Sequence, residues 1–204
     1  MYIVTSEVLL FAGKKALAGQ YHDALEPHLH RIPGFVQEIR YASLDVPNKG
    51  LTLTFWDDSE AISRWRNQID HLPIQEKGNR YVFQEYRLRI GSVFGKRQTV
   101  HEIQSQTRGF MALYWRPKDQ NEQSLDFEKM SELKDEVASR VEAFMLDCAT
   151  YEDNASILRL SGWGSQEDAL LYEESIVRTP GDRLERRDYT RERREDAPHR
   201  EPGK

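Results

Sequence analysis

The sequence predicts an α+β protein made of two tandem ferredoxin-like units, each a βαββαβ succession with an antiparallel sheet and its helices on one face. Three observations carry that expectation. Segments of two-residue alternation and segments of three- and four-residue periodicity succeed one another in the βαββαβ order. The order recurs roughly one hundred residues later, with nine residues separating Trp56 from Trp65 and nine separating Trp163 from Tyr172. In Leu51-Thr52-Leu53-Thr54-Phe55-Trp56 both alternating sets hold material to bury, so the face away from the helices should meet a second sheet. The second unit is the expected partner, which makes the chain a pseudo-dimer in itself, with a homodimer as the other arrangement.

The elements follow in order. Tyr2 to Phe11 reads as a strand, and Gly13 to Ile32 as a helix with Leu17, Tyr21, Leu25, Leu29 and Ile32 on one stripe. Pro27 weakens that helix and leaves a bend or break near Ala24 open. Phe35 to Leu44 and Leu51 to Trp56 read as strands joined by the turn-rich segment 45–50. Asp57, Asp58 and Ser59 offer side-chain acceptors for a helix start, and Ala61, Ile62 and Trp65 follow at helical spacing. Tyr81 to Val93 is the last strand of the first unit. In the second unit, Phe110 to Trp115 reads as a strand. Phe127, Met130, Leu133, Val137, Val141 and Phe144 form a helical stripe. Phe144 opens a strand, Trp163 closes the next, Gln166 to Ser175 reads as a helix, and a charged strand holds Tyr189. The expected boundaries are 1–96 for the first unit, 97–108 for a polar linker, 109–190 for a degenerate second unit and 191–204 for a charged, disordered tail.

Composition narrows the function classes. With 38% hydrophobic and 31% charged residues and a formal charge of -5, the chain has the makeup of a soluble globular protein with no basic face for nucleic acid. No stretch reaches the roughly 18 apolar residues of a membrane span. Met1 to Phe11 lacks a basic flank and a cleavage site, and its alternation suits a strand. The expected location is the cytoplasm. The single cysteine, Cys148, excludes an intrachain disulfide and reads as a buried bystander in a strand. His28 and His30 stand two apart and diverge on a helix, and no Cys/His cluster has metal spacing. Glycine-rich phosphate loops and a dinucleotide fingerprint are absent from the sequence as well.

Pro33-Gly34-Phe35, the strand Leu51 to Trp56, Ser59-Glu60-Ala61, Trp65-Arg66, His71, Gln75 and Gly78 together resemble the antibiotic biosynthesis monooxygenase family, over about residues 1 to 95. The second unit keeps Trp163 but has Tyr172 for the helix tryptophan and Glu173 where Arg66 would be. The resemblance implies the dimeric α+β barrel arrangement, with a pocket between a sheet and its helices. It also implies oxidation of electron-rich quinols, anthrones or polyphenols by molecular oxygen with no cofactor and no metal. A deprotonated phenol is itself an electron donor to oxygen, so the protein has to bind the aromatic, promote deprotonation and stabilise the anion. In this reading Trp65 forms a wall for a flat substrate. His71 and His28 are the candidate bases, since an imidazole exchanges a proton near neutral pH. Tyr21 and Tyr86 offer hydroxyls, and Arg66 and Gln75 are further substrate-binding candidates.

Each assignment has a plainer counterpart. Trp65 and Trp56 could be core tryptophans, Arg66 a salt-bridge or cap residue, and Tyr21 and Tyr86 packing residues. Pro73 suggests a helix end, where His71 would meet the last carbonyls. His28 could be a satisfied boundary histidine, while His22 and His30 are expected on the solvated side. A non-catalytic module that binds a small ligand or a partner is the alternative function. Heme-degrading monooxygenases of the same fold place an asparagine in the first strand and an iron-ligating histidine ten residues after the helix tryptophan. Here those positions hold Ser6 and Gln75, and glutamine is not a usual axial ligand of heme iron.

Overall fold

The computed structural model describes residues 1–44, 46–93, 109–117, 144–150, 156–163, 165, 167, 168, 170 and 183–190. It divides into two compact units, one reaching to Ile90 and the other spanning Gly91–Thr190. The first holds β1 (Tyr2–Leu10), α1 (Lys15–Leu29), β2 (Phe35–Ser43), β3 (Lys49–Trp56), α2 (Ser59–Arg66), α3 (His71–Tyr81) and β4 (Phe83–Val93). Its strands run side by side in the order β4-β1-β3-β2. Strand β3 is antiparallel to both neighbours, with Tyr2 opposite Trp56, Ser6 opposite Thr52 and Arg40 opposite Thr52 from the other side. This is an α+β arrangement on an antiparallel sheet.

Alternation along β1 and β3 sorts the side chains onto two faces, as the sequence predicts. Val4 and Trp56 join Leu29, Ala61, Ile62 and Ile90 in a buried core, with Tyr2, Ile32, Phe35, Trp65 and Leu88 packed against it. The opposite face carries Ile3, Thr5, Glu7, Tyr41, Leu51, Leu53 and Phe55, and these are buried too. A charged set lies among them: Glu7 accepts from Lys49 Nζ at 2.6 Å and from Arg89 at 3.1 Å.

The Pro33-Gly34-Phe35 motif has a mechanical reason. Gly34 sits at φ +89, and a Cβ there would stand 2.8 Å from the Ala61 Cβ on α2. Only glycine accepts that backbone and that approach. The Gly34 carbonyl takes the Asp57 N–H at 2.8 Å, and Arg64 on α2 donates to the Pro33 carbonyl at 2.8 Å. Phe35 then meets Trp56 edge to face, with ring centroids 5.3 Å apart. Asp58 starts α2 from an extended backbone and accepts the Ala61 N–H at 2.6 Å, while Arg64 and Arg66 suit its C-terminal turn.

Two expectations need correction. The first helix runs through Pro27 without interruption and ends at Leu29, three residues short of Ile32; the proline falls in the last turn, where little helix remains to be disturbed. Pro73 does not end a helix but occupies the first turn of a new one, α3, where its missing N–H would have had no partner. The second helical stretch of the first unit is therefore two helices with a turn between them.

The second unit contains β5 (Gly109–Pro117), β6 (Phe144–Thr150), β7 (Ser156–Trp163) and β8 (Arg183–Thr190), in the order β6-β7-β5-β8. Both β5–β7 and β6–β7 are antiparallel, with Phe110 opposite Trp163 and Leu113 opposite Leu160. Cys148 lies in β6. The expected helical stripe from Phe127, most of the Gln166 to Ser175 helix, the linker and the tail lie outside the described residues.

The third strand of each unit ends alike. Trp56 Nε1 donates to the Thr54 hydroxyl at 2.8 Å, and Trp163 Nε1 donates to the Ser161 hydroxyl at 2.9 Å. Two residues past each tryptophan a side chain, Asp58 or Ser165, accepts the N–H three residues further on. Among the described residues no helix is long and apolar enough to cross a membrane.

Candidate functional site

Helix α2 turns Ala61 and Ile62 into the core and brings Trp65, half-buried, to the core's margin. The chain then reverses through residues 67–70 and begins α3 at His71. The reversal lays the His71 imidazole flat on the Trp65 indole, with centroids 4.2 Å apart and an interplanar angle of 15°. His71 Nδ1 stands 3.2 Å from the Trp65 carbonyl oxygen. A carbonyl only accepts, so Nδ1 carries the proton and Nε2 keeps its lone pair. Burial holds the His71 pKa below its ordinary value, with the Trp65 carbonyl acting in the opposite sense. The result is a neutral imidazole at neutral pH, with a basic nitrogen at the edge of an aromatic stack. One face of Trp65 is thus already covered by a side chain.

His28 reaches the same place from α1. Its Nδ1 lies 3.3 Å from Asp70 Oδ2 and 3.5 Å from Gln68 Nε2. Gln68 Nε2 also donates to Asp70 Oδ2 at 2.9 Å. Two predicted residues, Trp65 and His71, therefore stack on each other, and a third, His28, meets the turn between their helices at Asp70 and Gln68. The other four are half-buried: Tyr21 two turns before His28 on α1, Arg66 beside Trp65 in the chain, Gln75 one turn after His71 on α3, and Tyr86 on β4. Tyr86 stacks on Phe83 at 6.0 Å, and the Phe83 ring fills the space a Cβ on Gly78 would need.

Sequence reasoning missed Gln68 and Asp70, whose only signal is a polar pair just ahead of a proline that can open a helix. It also misplaced His22. That residue is not solvated but turned to the sheet, where Nε2 is hydrogen-bonded to Glu38 and Nδ1 lies 3.1 Å from Arg40 Nη1 and 3.5 Å from Asp23 Oδ1. The Glu38 bond raises the His22 pKa, against the effect of burial. His22 and His28 lie six residues apart, about 120° around α1 and ~9 Å along it, so the two histidines serve opposite flanks of the helix. His30 is exposed, as expected, with its ring against Phe35. Among the described residues no three His, Cys, Asp or Glu side chains converge as a metal site.

An antiparallel sheet with helices over one face, and an aromatic stack of Trp65 and His71 where α2 meets α3, defines an α+β protein. The comparisons with known proteins sharpen this. No family model matches the chain. Over 70 residues it is 44% identical to the jasmonate monooxygenase ABM of Pyricularia oryzae, covering 34% of this chain and 33% of that one. Over 63 residues it is 33% identical to the uncharacterized protein YqjZ of Bacillus subtilis, covering 30% of this chain and 52% of that one. The matched segments thus span about a third and about half of those relatives. Among solved structures, SnoaB, a cofactor-independent oxygenase from Streptomyces nogalater, is 20% identical with a TM-score of 0.40, covering 48% of this chain and 95% of that one. Over about a third of its length the chain is thus similar to a monooxygenase, in keeping with the family resemblance that the motif of the first unit carries.

Proposed function

We propose that this protein is a cofactor-independent monooxygenase acting on an electron-rich aromatic such as a quinol, anthrone or polyphenol. The observation that carries the reading is the Trp65–His71 stack with its unprotonated Nε2. In the proposed reaction His71 takes the acidic proton of the substrate, and the resulting anion gives electrons to molecular oxygen. One oxygen atom enters the substrate and the other leaves as water, so the substrate itself supplies all the electrons. His28, which meets Asp70 and Gln68 in the adjoining turn, is the second candidate base. The indole edge of Trp65, with Tyr21, Tyr86, Arg66 and Gln75, contributes the substrate-binding surface.

The second unit is, in this reading, a degenerate copy of the first, and the chain is a cytoplasmic pseudo-dimer in itself. The matching strand order and the matching tryptophan and cap bonds support the duplication. A solution mass equal to one chain supports the intrachain pairing, and an obligate dimer argues for exchange between chains.

The test is oxygen uptake by the metal-chelated protein with a panel of hydroquinones, anthrones and naphthols, to which jasmonate is added because the Pyricularia oryzae relative is named for it. Uptake lost in Trp65→Ala and in His71→Gln supports the proposal. Tight binding of a panel member with no uptake would replace it with the ligand-binding alternative.

A further inference from the structure

We propose that Gln68 is the positioning residue of this site, closing the α2–α3 turn so that His71 presents Nε2 beside Trp65. The inference rests on the reading of His71 as the base. Asp70 stands at the N-cap of α3, yet its side chain makes no capping bond, and its backbone is already helical at φ -79 and ψ -23. Gln68 takes over that task from two residues upstream. Its Oε1 accepts the Asp70 N–H at 2.5 Å and the His71 N–H at 2.9 Å, two of the donors that a helix start leaves without intrahelical partners.

The other end of the same amide fixes its orientation. Nε2 donates to Asp70 Oδ2 at 2.9 Å and faces His28 Nδ1 at 3.5 Å, so an amide flip would aim an NH2 group at two backbone N–H donors. The Gln68 backbone is tied as well, its N–H donating to the Trp65 carbonyl at 3.2 Å and its carbonyl accepting from His71 and Leu72. Gln68 therefore anchors the His71 backbone from one side, while the Trp65 carbonyl that it also contacts receives the imidazole Nδ1–H from the other. Among the described residues, Asp70 from the turn itself and His28 from α1 are titratable groups that face it. Gln68 holds both through one nitrogen.

The test uses the full chain labelled with 15N-histidine. Long-range 1H–15N spectra report the tautomer and titration of each ring, and the His71→Gln spectrum assigns the His71 signal. In Gln68→Leu, which keeps the volume and deletes both polar ends, His71 is expected to lose its single Nδ1–H tautomer and to titrate closer to an ordinary histidine. Turnover should fall by about tenfold in kcat with little change in KM, the signature of a displaced rather than a deleted group. Gln68→Asn, which withdraws the amide by one methylene, should give an intermediate spectrum, and it decides the question if Gln68→Leu does not fold. A folded variant whose His71 keeps the wild-type tautomer and midpoint overturns the inference. Because the spectra need no substrate, failure of the proposed oxygenase activity in the unmodified protein would be seen separately.

Discussion

The imidazole of His71 rests on the indole of Trp65 at a centroid distance of 4.2 Å and is tied by Nδ1 to the carbonyl of that same residue. Side chain and backbone of one tryptophan thus set both the plane and the tautomer of the histidine. Burial depresses the pKa, so the folded protein binds this proton less tightly than the unfolded chain. The contribution to stability is fully present above the ordinary value of 6.5 and is lost as pH falls through the lower folded value. We expect an NMR titration of His71 with a midpoint below 6.5. Oxygenation, where His71 is the base, should stay flat with falling pH until that midpoint is reached. His71→Gln should reduce kcat by about 10²- to 10⁴-fold, the range for removal of a general base. A midpoint at or above the ordinary value would refute the depression by burial.

His22 has the opposite sign. Glu38 raises its pKa, so its contribution is fully present below 6.5 and is lost as pH rises through the higher folded value. With Arg40 and Asp23 on Nδ1, protonation should move that nitrogen from accepting an Arg40 N–H to donating toward Asp23. Glu38→Gln should destabilise by about 1.5–3 kcal/mol at pH 6, as expected for a hydrogen bond to a charged group, and by less at pH 8. Urea midpoints at the two pH values check this, and an equal loss at both would show that the pair does not titrate in that window.

What the sequence made legible was what depends on local spacing. The tryptophans at strand ends, the alternation of Leu51 to Trp56 and the acidic start of α2 all appear where they were expected. The extra helix α3 was hidden because Pro73 carries the same letter whether it stops a helix or opens one, and the difference lies in whether its nitrogen is needed as a donor. Within the site, His28, Trp65 and His71 are chemically conspicuous residue types, whereas Gln68 matters only through a turn geometry that no pattern announces. His22 finds Glu38 sixteen residues away on another element, beyond the reach of any helical period.

Gly34→Ala tests the reason for the Pro-Gly-Phe motif. The added methyl would meet the Ala61 Cβ at 2.8 Å on a backbone at φ +89, so strain and overpacking coincide. Overpacking alone costs about 1–3 kcal/mol, and the positive φ adds to it. The denaturation midpoint should fall accordingly. Ala61→Gly in the same chain should recover only the overpacking part, leaving the backbone strain. Full recovery in the double variant would show that contact, not conformation, demands the glycine.

Glu7 and Arg89 form an ion pair that is almost wholly buried on the face of the sheet opposite the helices, 4% and 2% exposed. Burial alone would raise the Glu7 pKa, but Lys49 and Arg89 together more than reverse this, and the net shift is downward. The stabilisation is therefore present above the ordinary 4.5 and is lost as pH falls through the lower folded value. Removing one partner strands a buried charge, and Glu7→Gln should cost about 3–5 kcal/mol at neutral pH. Replacing Glu7 and Arg89 together by methionine should cost much less, because the desolvation of both charges disappears with them. The coupling measured across this double-mutant cycle separates a network that stabilises the sheet from one that is merely compensated. If Glu7→Gln proves as stable as the unmodified chain, Glu7 is not ionised in the fold, and the depressed pKa is refuted with it.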